Sequence, residues 1–182
     1  MEKVNVDNVD NCGIFKVEKS TWKLDNGQNA RRVVIDSPHW VSAVVKVNNF
    51  NYENSIVMVA QFRYGAGKEL CEFPCGMVEE GETALDAIIR ECEEEIGLEK
   101  KNIVKIEKLY EHNPNPAFMT NRMTCFYIEV SNLDISKSHP DDDECLKLAF
   151  VSPNVIDALA EDSDSSVMMS LAWEKYRKRE GK

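Results

Sequence analysis

No apolar run in the chain approaches the roughly 20 residues that a membrane-crossing helix needs. The opening Met1-Glu2-Lys3, followed by polar Asn and Asp, has neither the composition nor the apolar stretch of a signal peptide. A soluble, cytoplasmic protein is therefore expected. No CxxC pair and no zinc-type spacing connects the six cysteines, Cys12, Cys71, Cys75, Cys92, Cys125 and Cys145. Cys71 and Cys75 flank a predicted loop, where a metal or redox pair is conceivable; reduced, mostly buried thiols are the simpler reading. The three histidines, His39, His112 and His139, share no spacing, so none is given a catalytic role. Positive charge is also short. With 22 Lys and Arg against 32 Asp and Glu, the formal net charge is −10, which argues against a nucleic-acid backbone or an anionic membrane as the main partner. A small phosphate ligand stays open, because a bound cation and a few arginines can set the field inside a cleft whatever the total charge. There is no internal repeat and no long linker.

What is present is ordinary globular composition, 43% hydrophobic and 30% charged. At 182 residues it is enough for one well-buried domain with a small accessory element. The unusual stretch is Gly76 to Leu98, GMVEEGETALDAIIRECEEEIGL. Thr83 followed by Asp86 has the form of a capping box and Gly97 is a natural stop, which predicts a helix from Ala84 to Ile96. Leu85, Ile88, Ile89, Cys92 and Ile96 recur at helical spacing and form the expected buried stripe. Glu91, Glu94 and Glu95 then share about one third of the circumference, away from that stripe. A solvated acidic face is the plain alternative. Like charges at i,i+3 and i,i+4 destabilise a helix, however, and these lie toward its C-terminal half, where the macrodipole disfavours anions. A divalent cation reverses that penalty, and oxygen-only ligands suit Mg²⁺, Mn²⁺ or Ca²⁺ rather than zinc.

Gly76, five residues, Glu82, seven residues, then Arg90-Glu91-Cys92-Glu93-Glu94-Glu95-Ile96-Gly97-Leu98 resembles the complete Nudix box, with Cys92 where an aliphatic residue is usual. The resemblance implies a loop-helix-loop that holds divalent metal against a diphosphate, with Glu91, Glu94 and Glu95 as ligands and Glu82 and Arg90 bracing the loop and helix. Upstream, Gln61-Phe62-Arg63 leads through a Gly65-Ala66-Gly67 loop to Glu72-Phe73-Pro74-Cys75-Gly76. This is similar to the region before the box in ADP-ribose pyrophosphatases and related nucleoside-diphosphate-sugar hydrolases. It implies that Arg63 contacts substrate phosphate, that Glu72 lies near the site, and that the backbone carbonyl of Cys75 is a metal ligand. An ordinary surface ion pair is the alternative for Arg63.

In chain order, residues 1 to 12 are expected to be loosely ordered. Ile14 to Leu24 and Ala30 to Asp36 read as strands joined by an Asp25-Asn26-Gly27 turn. Trp40 to Val47, Ser55 to Phe62, Ile103 to Glu111, Met123 to Val130 and Leu146 to Val151 read as further strands. Pro153 to Ala160 reads as a short helix, followed by a last helix ending in the basic run Lys175 to Arg179, where cations suit the macrodipole; a nucleic-acid patch is the sharper alternative for that run. The Asn- and Pro-rich loop HNPNPAFMTNR carries Pro114 at a separation from the box that resembles the ADP-ribose pyrophosphatase group, in a loop that is not the Ser-Pro-Gly type usual there. Within it, Phe118, Met119 and Arg122 are candidates to line a nucleotide pocket, with core packing or surface charge as the alternative. In the resembling hydrolases a Glu in the loop before the last strand completes the metal site or serves as general base. Glu144 has the best matching position; Asp142, Asp143 and Glu111 are the alternatives.

The fold the resemblance implies is a Nudix-type α/β/α sandwich with a mixed β-sheet. Residues 1–37 would be an N-terminal β-hairpin extension that helps build a homodimer, and 38–182 the hydrolase domain. The implied reaction is Mg²⁺-dependent hydrolysis, with Mn²⁺ as an alternative, of the pyrophosphate bond in ADP-ribose or a related nucleotide sugar. Glu144, Glu94, Glu95 and Arg90 would be catalytic, Arg63, Glu72, Phe118, Met119 and Arg122 would contact substrate, and Glu91, Glu94, Glu95, Glu144 and the Cys75 carbonyl would hold metal. The rivals are a house-cleaning nucleoside triphosphate pyrophosphohydrolase and a Nudix-fold sensor that binds its metabolite uncleaved.

Overall fold

The computed structural model describes residues 1–48, 54–140, 145–161 and 166–181. The chain divides into two compact units, Met1–His39 with His112–Met123, and Trp40–Glu111 with Thr124–Lys182.

The first unit is built on β1 (Glu2–Asn11), β2 (Lys16–Lys23) and β3 (Asn29–Asp36), antiparallel in that order. Gly27, at φ +81°, makes the expected β2–β3 turn. The first residues are not loose: they pair with β2 along its length, with register shifts between Lys3 and Asn5 and between Val6 and Asn8. Every residue of β1 is exposed, so no apolar alternation announced it. Cross-strand polar contacts hold it instead, including Lys3 to Glu18 at 2.6 Å, Lys19 to Asp10 at 2.8 Å and Thr21 to Asp7 at 2.9 Å. The Asn- and Pro-rich segment adds to the far edge: Ile35 donates to the Phe118 carbonyl at 2.7 Å and Thr120 donates to the Ile35 carbonyl at 3.0 Å.

The second unit is the expected mixed α/β body. Its strands are β4 (Trp40–Val47), β5 (Ser55–Arg63), β6 (Lys68–Glu72), β7 (Cys75–Met77), β8 (Ile103–His112), β9 (Met123–Val130) and β10 (Lys147–Val151). The main path is β10-β5-β4-β9-β8, with β6 paired to β5 and β7 to β4. Alternation divides the two faces. Val41, Ala43, Val45, Val57, Val59, Phe126 and Ile128 pack with Ala87, Ile88, Cys92 and Ile96 of α1 (Ala84–Ile96). Val44, Ile56, Met58, Cys125 and Tyr127 pack with Ile156 of α2 (Pro153–Glu161) and Met169, Ala172, Trp173 and Tyr176 of α3 (Val167–Arg179). Helices therefore cover both faces of one sheet, and no described helix is long and apolar enough to cross a membrane.

One expectation for α1 changes, while α3 ends in its basic run as expected. Leu85, assigned to the buried stripe of α1, is 41% exposed, and Ala87 and Glu95 are buried instead. The inward arc of α1 is thus rotated toward the carboxylates. The basic run of α3 is taken up within the chain: Arg177 pairs with Asp157 at 2.7 Å, Lys178 with Glu174, and Arg179 with Glu107 at 3.0 Å while lying 4.0 Å above the Tyr127 ring.

Candidate active site

The site grows from the start of α1. Thr83 caps the helix, its hydroxyl oxygen accepting from the Asp86 amide at 3.1 Å, and Gly97 closes it at φ +69°. Between these ends, Glu91, Glu94 and Glu95 meet three different surroundings. The Glu91 side chain is 15% exposed and the Glu94 side chain 32%. Glu95 is only 2% exposed and accepts a hydrogen bond from the backbone N–H of Cys75 at 3.1 Å. One helix face thus runs from the buried interior to the partly exposed surface, with Glu91 and Glu95 against the Cys75-Gly76 backbone.

That backbone comes close because residue 76 has no side chain. A Cβ built on Gly76 would lie 2.0 Å from the carboxyl carbon of Glu91. β7 is held in place by its pairing with β4, Val41 opposite Gly76 and Ser42 opposite Cys75. Sheet and helix therefore converge on one edge.

Arg90 organises the carboxylates. Its guanidinium donates to Glu82 at 3.2 Å, to Glu94 at 2.9 Å and to the Met77 carbonyl at 2.9 Å, and it pairs with Glu91 at 3.0 Å. Burial works against its charge, but Glu82, Glu91 and Glu94 outweigh that and raise its pKa. The hydrogen bond from Arg90 in turn holds Glu82 below the ordinary carboxylate range. Glu82 also accepts from the Glu79 amide at 3.1 Å, which closes the loop before the helix.

Arg63, at the end of β5, donates from Nε to Glu72 at 2.6 Å and from Nη2 to the sulfur of Cys75 at 3.1 Å. Glu72 is itself buried. Burial, and then the Glu95 carboxylate, push the Cys75 thiol far above its usual range, so it is protonated at neutral pH. Cys71 and Cys75 sit in β6 and β7, on either side of the short Phe73-Pro74 connection, as expected. All six cysteines are free thiols, and Cys12 and Cys145 are exposed.

The structure thus brings together Arg63, Glu72, Cys75, Glu82, Arg90, Glu91, Glu94 and Glu95, all in the second unit. Phe118, Met119 and Arg122 belong to the first unit, where Met119 bridges to Ile35 and the Arg122 amide donates to His39 Nδ1 at 3.0 Å. Glu144, with Asp142 and Asp143, lies outside the described residues. Glu111 is on β8, with Lys108 at 3.3 Å. Among the described residues, no group of three or more His, Cys, Asp or Glu side chains converges closely enough to hold a metal ion. Arg90 draws Glu91 and Glu94 together, while the Cys75 amide takes Glu95. In chemistry the donors still suit a hard divalent cation: three carboxylates on one helix face with backbone against them, an oxygen set.

Two features of the site carried no sequence signal of their own. The contact between Gly76 and Glu91 needs the strand and helix docked before it exists. The other is the turn of residues 134–139, which binds the last carbonyls of α1 through Ser138 and His139.

A NUDIX domain model matches residues 38–171. The ADP-ribose pyrophosphatase of Bacillus subtilis (strain 168) is 32% identical over 130 residues, 71% of this chain and 66% of that protein. A methanol dehydrogenase activator of Bacillus methanolicus is 30% identical over 135 residues, 74% of this chain and 69% of that protein. The matched stretch thus spans about two thirds of either relative's length. Among solved structures, one described as an ADP compounds hydrolase superposes with a TM-score of 0.75 over 98% of this chain and 95% of its own, at 19% identity, a likeness of fold.

Proposed function

The chain belongs to the NUDIX hydrolase family, and we propose that it hydrolyses the pyrophosphate bond of a nucleoside diphosphate derivative, ADP-ribose or a related nucleotide sugar, to a nucleoside monophosphate and a sugar phosphate. The observation that carries this reading is the α1 carboxylate face set against the Cys75-Gly76 backbone. The similarity to a protein named ADP-ribose pyrophosphatase supports the choice of substrate class.

Glu91, Glu94, Glu95 and the Cys75 carbonyl would hold a divalent cation, Mg²⁺ first and Mn²⁺ second. When bound, such an ion neutralises diphosphate oxygens and lowers the pKa of a water ligand. The chain's own groups do the rest. Arg90 keeps Glu91 and Glu94 at a fixed spacing and ties them to Glu82 and the Met77 carbonyl. Arg63 is oriented by Glu72, and a guanidinium with five N–H donors can also reach a diphosphate oxygen where charge develops. Glu144, assigned from sequence, is proposed to accept the proton of the attacking water. Phe118, Met119 and Arg122 are proposed substrate contacts by stacking and by charge. Residues 1–37 are proposed as the element of a homodimer, residues 38–182 as the hydrolase domain, and the cytoplasm as its compartment.

The test is phosphate release, with a coupled phosphatase, from a panel of ADP-ribose, other nucleotide sugars, dinucleotides and nucleoside triphosphates, with and without Mg²⁺. Metal-dependent turnover of ADP-ribose or a near relative is expected. Pyrophosphate from triphosphates would move the reading to a house-cleaning enzyme. Silence across the panel, with ADP-ribose still raising the melting temperature, would point to a sensor.

Gly76→Ala gives a sharper test of the geometry. The atom in the way is the far end of a flexible side chain, so the fold should survive with little change in melting temperature. Glu91 must swing aside, and a displacement of that size costs on the order of a hundredfold in turnover. Full activity in this variant would mean that Glu91 has no part in the chemistry.

A further inference from the structure

The turn that follows β9 grips the end of α1 at several points. Ser138 Oγ donates to the Glu95 carbonyl at 2.7 Å, with the Glu94 carbonyl at 3.2 Å. The backbone N–H of His139 donates to the Glu94 carbonyl at 2.8 Å. The turn itself is stiff: Asp134 accepts from the Ser136 hydroxyl at 2.6 Å and from its amide at 3.2 Å, and Lys137 reaches Glu99 at 2.6 Å. Contact is so close that a Cβ on Gly97 would meet the Asp134 carbonyl oxygen at 2.4 Å and the Ser138 amide at 2.9 Å.

These contacts fall on two of the three residues whose side chains form the carboxylate face. A helix C-terminus carries partial negative charge on its last carbonyls, which adds to the repulsion among carboxylates placed there. A hydroxyl proton and an amide proton aimed at the carbonyls of Glu94 and Glu95 offset that charge and fix the last turn against unwinding. An unwound last turn would rotate Glu95 off the Cys75 amide and change its spacing from Glu91.

We propose that Ser138 is a positioning residue of the hydrolase site: by holding the carbonyls of Glu94 and Glu95, it fixes the last turn of α1, from which the carboxylates proposed as ligands of a divalent cation project. This rests on the reading of those carboxylates as the metal site. The probe is Mn²⁺ alone, titrated without substrate and followed by the electron paramagnetic resonance of the free ion, beside steady-state kinetics on ADP-ribose. Ser138→Ala should bind Mn²⁺ about tenfold more weakly and lose a similar factor in kcat with little change in KM, as partners one step removed from a metal site typically do. Ser138→Thr, which keeps the hydroxyl, should restore both. If the alanine variant does not fold, Ser138→Cys, with its weak S–H donor, should fall between parent and the expected loss. Mn²⁺ affinity like the parent's in Ser138→Ala, with only the melting temperature lowered, would make Ser138 a plain helix cap and overturn the proposal. Glu94→Gln separates the two levels. If it weakens Mn²⁺ binding and Ser138→Ala does not, only the Ser138 assignment falls; if Glu94→Gln leaves binding unchanged, the metal face and the Ser138 role fall together.

Discussion

Glu94→Gln is expected to lower turnover by orders of magnitude while moving the melting temperature in metal-free buffer by no more than a few degrees. The carboxylate is one of three on a single helix face, and an amide of the same shape cannot replace its charge toward a divalent cation. Two opposing effects set the stability. Removing one negative charge relieves repulsion with Glu91 and with the helix end, worth a few tenths of a kcal/mol. It also removes one partner of Arg90, which lies 2.9 Å from Glu94. Arg90 keeps Glu82 and Glu91 at 3.2 and 3.0 Å, so the guanidinium is not stranded. A pair of this kind, with side chains 27% and 32% exposed, is worth about 1 kcal/mol, and for a chain of this size each kcal/mol moves the melting temperature by about 2–4 °C. The measurement is kcat on ADP-ribose beside a calorimetric scan in chelator. Turnover within about tenfold of the parent would remove Glu94 from the chemistry.

Gly97→Ala should show the reverse pattern in stability, a fall in melting temperature of about 6–12 °C, from a cost of about 3 kcal/mol. Two penalties add. A left-handed residue with a Cβ costs about 1–2 kcal/mol, and Gly97 sits at φ +69°. The new methyl would also meet backbone, the Asp134 carbonyl at 2.4 Å, rather than a side chain that can move aside. Moving the turn away loosens the Ser138 and His139 bonds to the helix end, each worth about 1 kcal/mol. Gly97→Asn discriminates between the two penalties, because Asn tolerates the left-handed region. Close approach predicts that Asn rescues little. Stability near the parent's in Gly97→Asn would show that backbone conformation alone demands glycine there.

Several elements were legible because their causes are local. The Thr83 cap, the Gly97 stop and the shared face of Glu91, Glu94 and Glu95 involve residues no more than four or five apart. The Asp25-Asn26-Gly27 turn is as local, and the strands β4, β5 and β9 declare themselves by apolar β-branched runs. β1 did not, because a strand with both faces exposed has no apolar alternation to read and is held by polar partners on β2. The exposure of Leu85 was also hidden. Spacing defines a stripe, but its edges depend on what the sheet presents to it.

The sequence by itself determined the helix, its limits and the chemistry of its carboxylates, and the box residues that place the chain among the NUDIX hydrolases. Only the tertiary structure decided what each carboxylate meets. Glu95 turns to an amide 20 residues away and its carbonyl takes a hydroxyl from 43 residues away, while Arg63 reaches across 12 residues to the sulfur of Cys75. Helix periodicity and capping come from interactions within a turn or two, so a linear pattern carries them. Contacts between a strand, a helix end and a distant turn arise only when packing of the shared core fixes their separation, and no spacing along the chain encodes that distance.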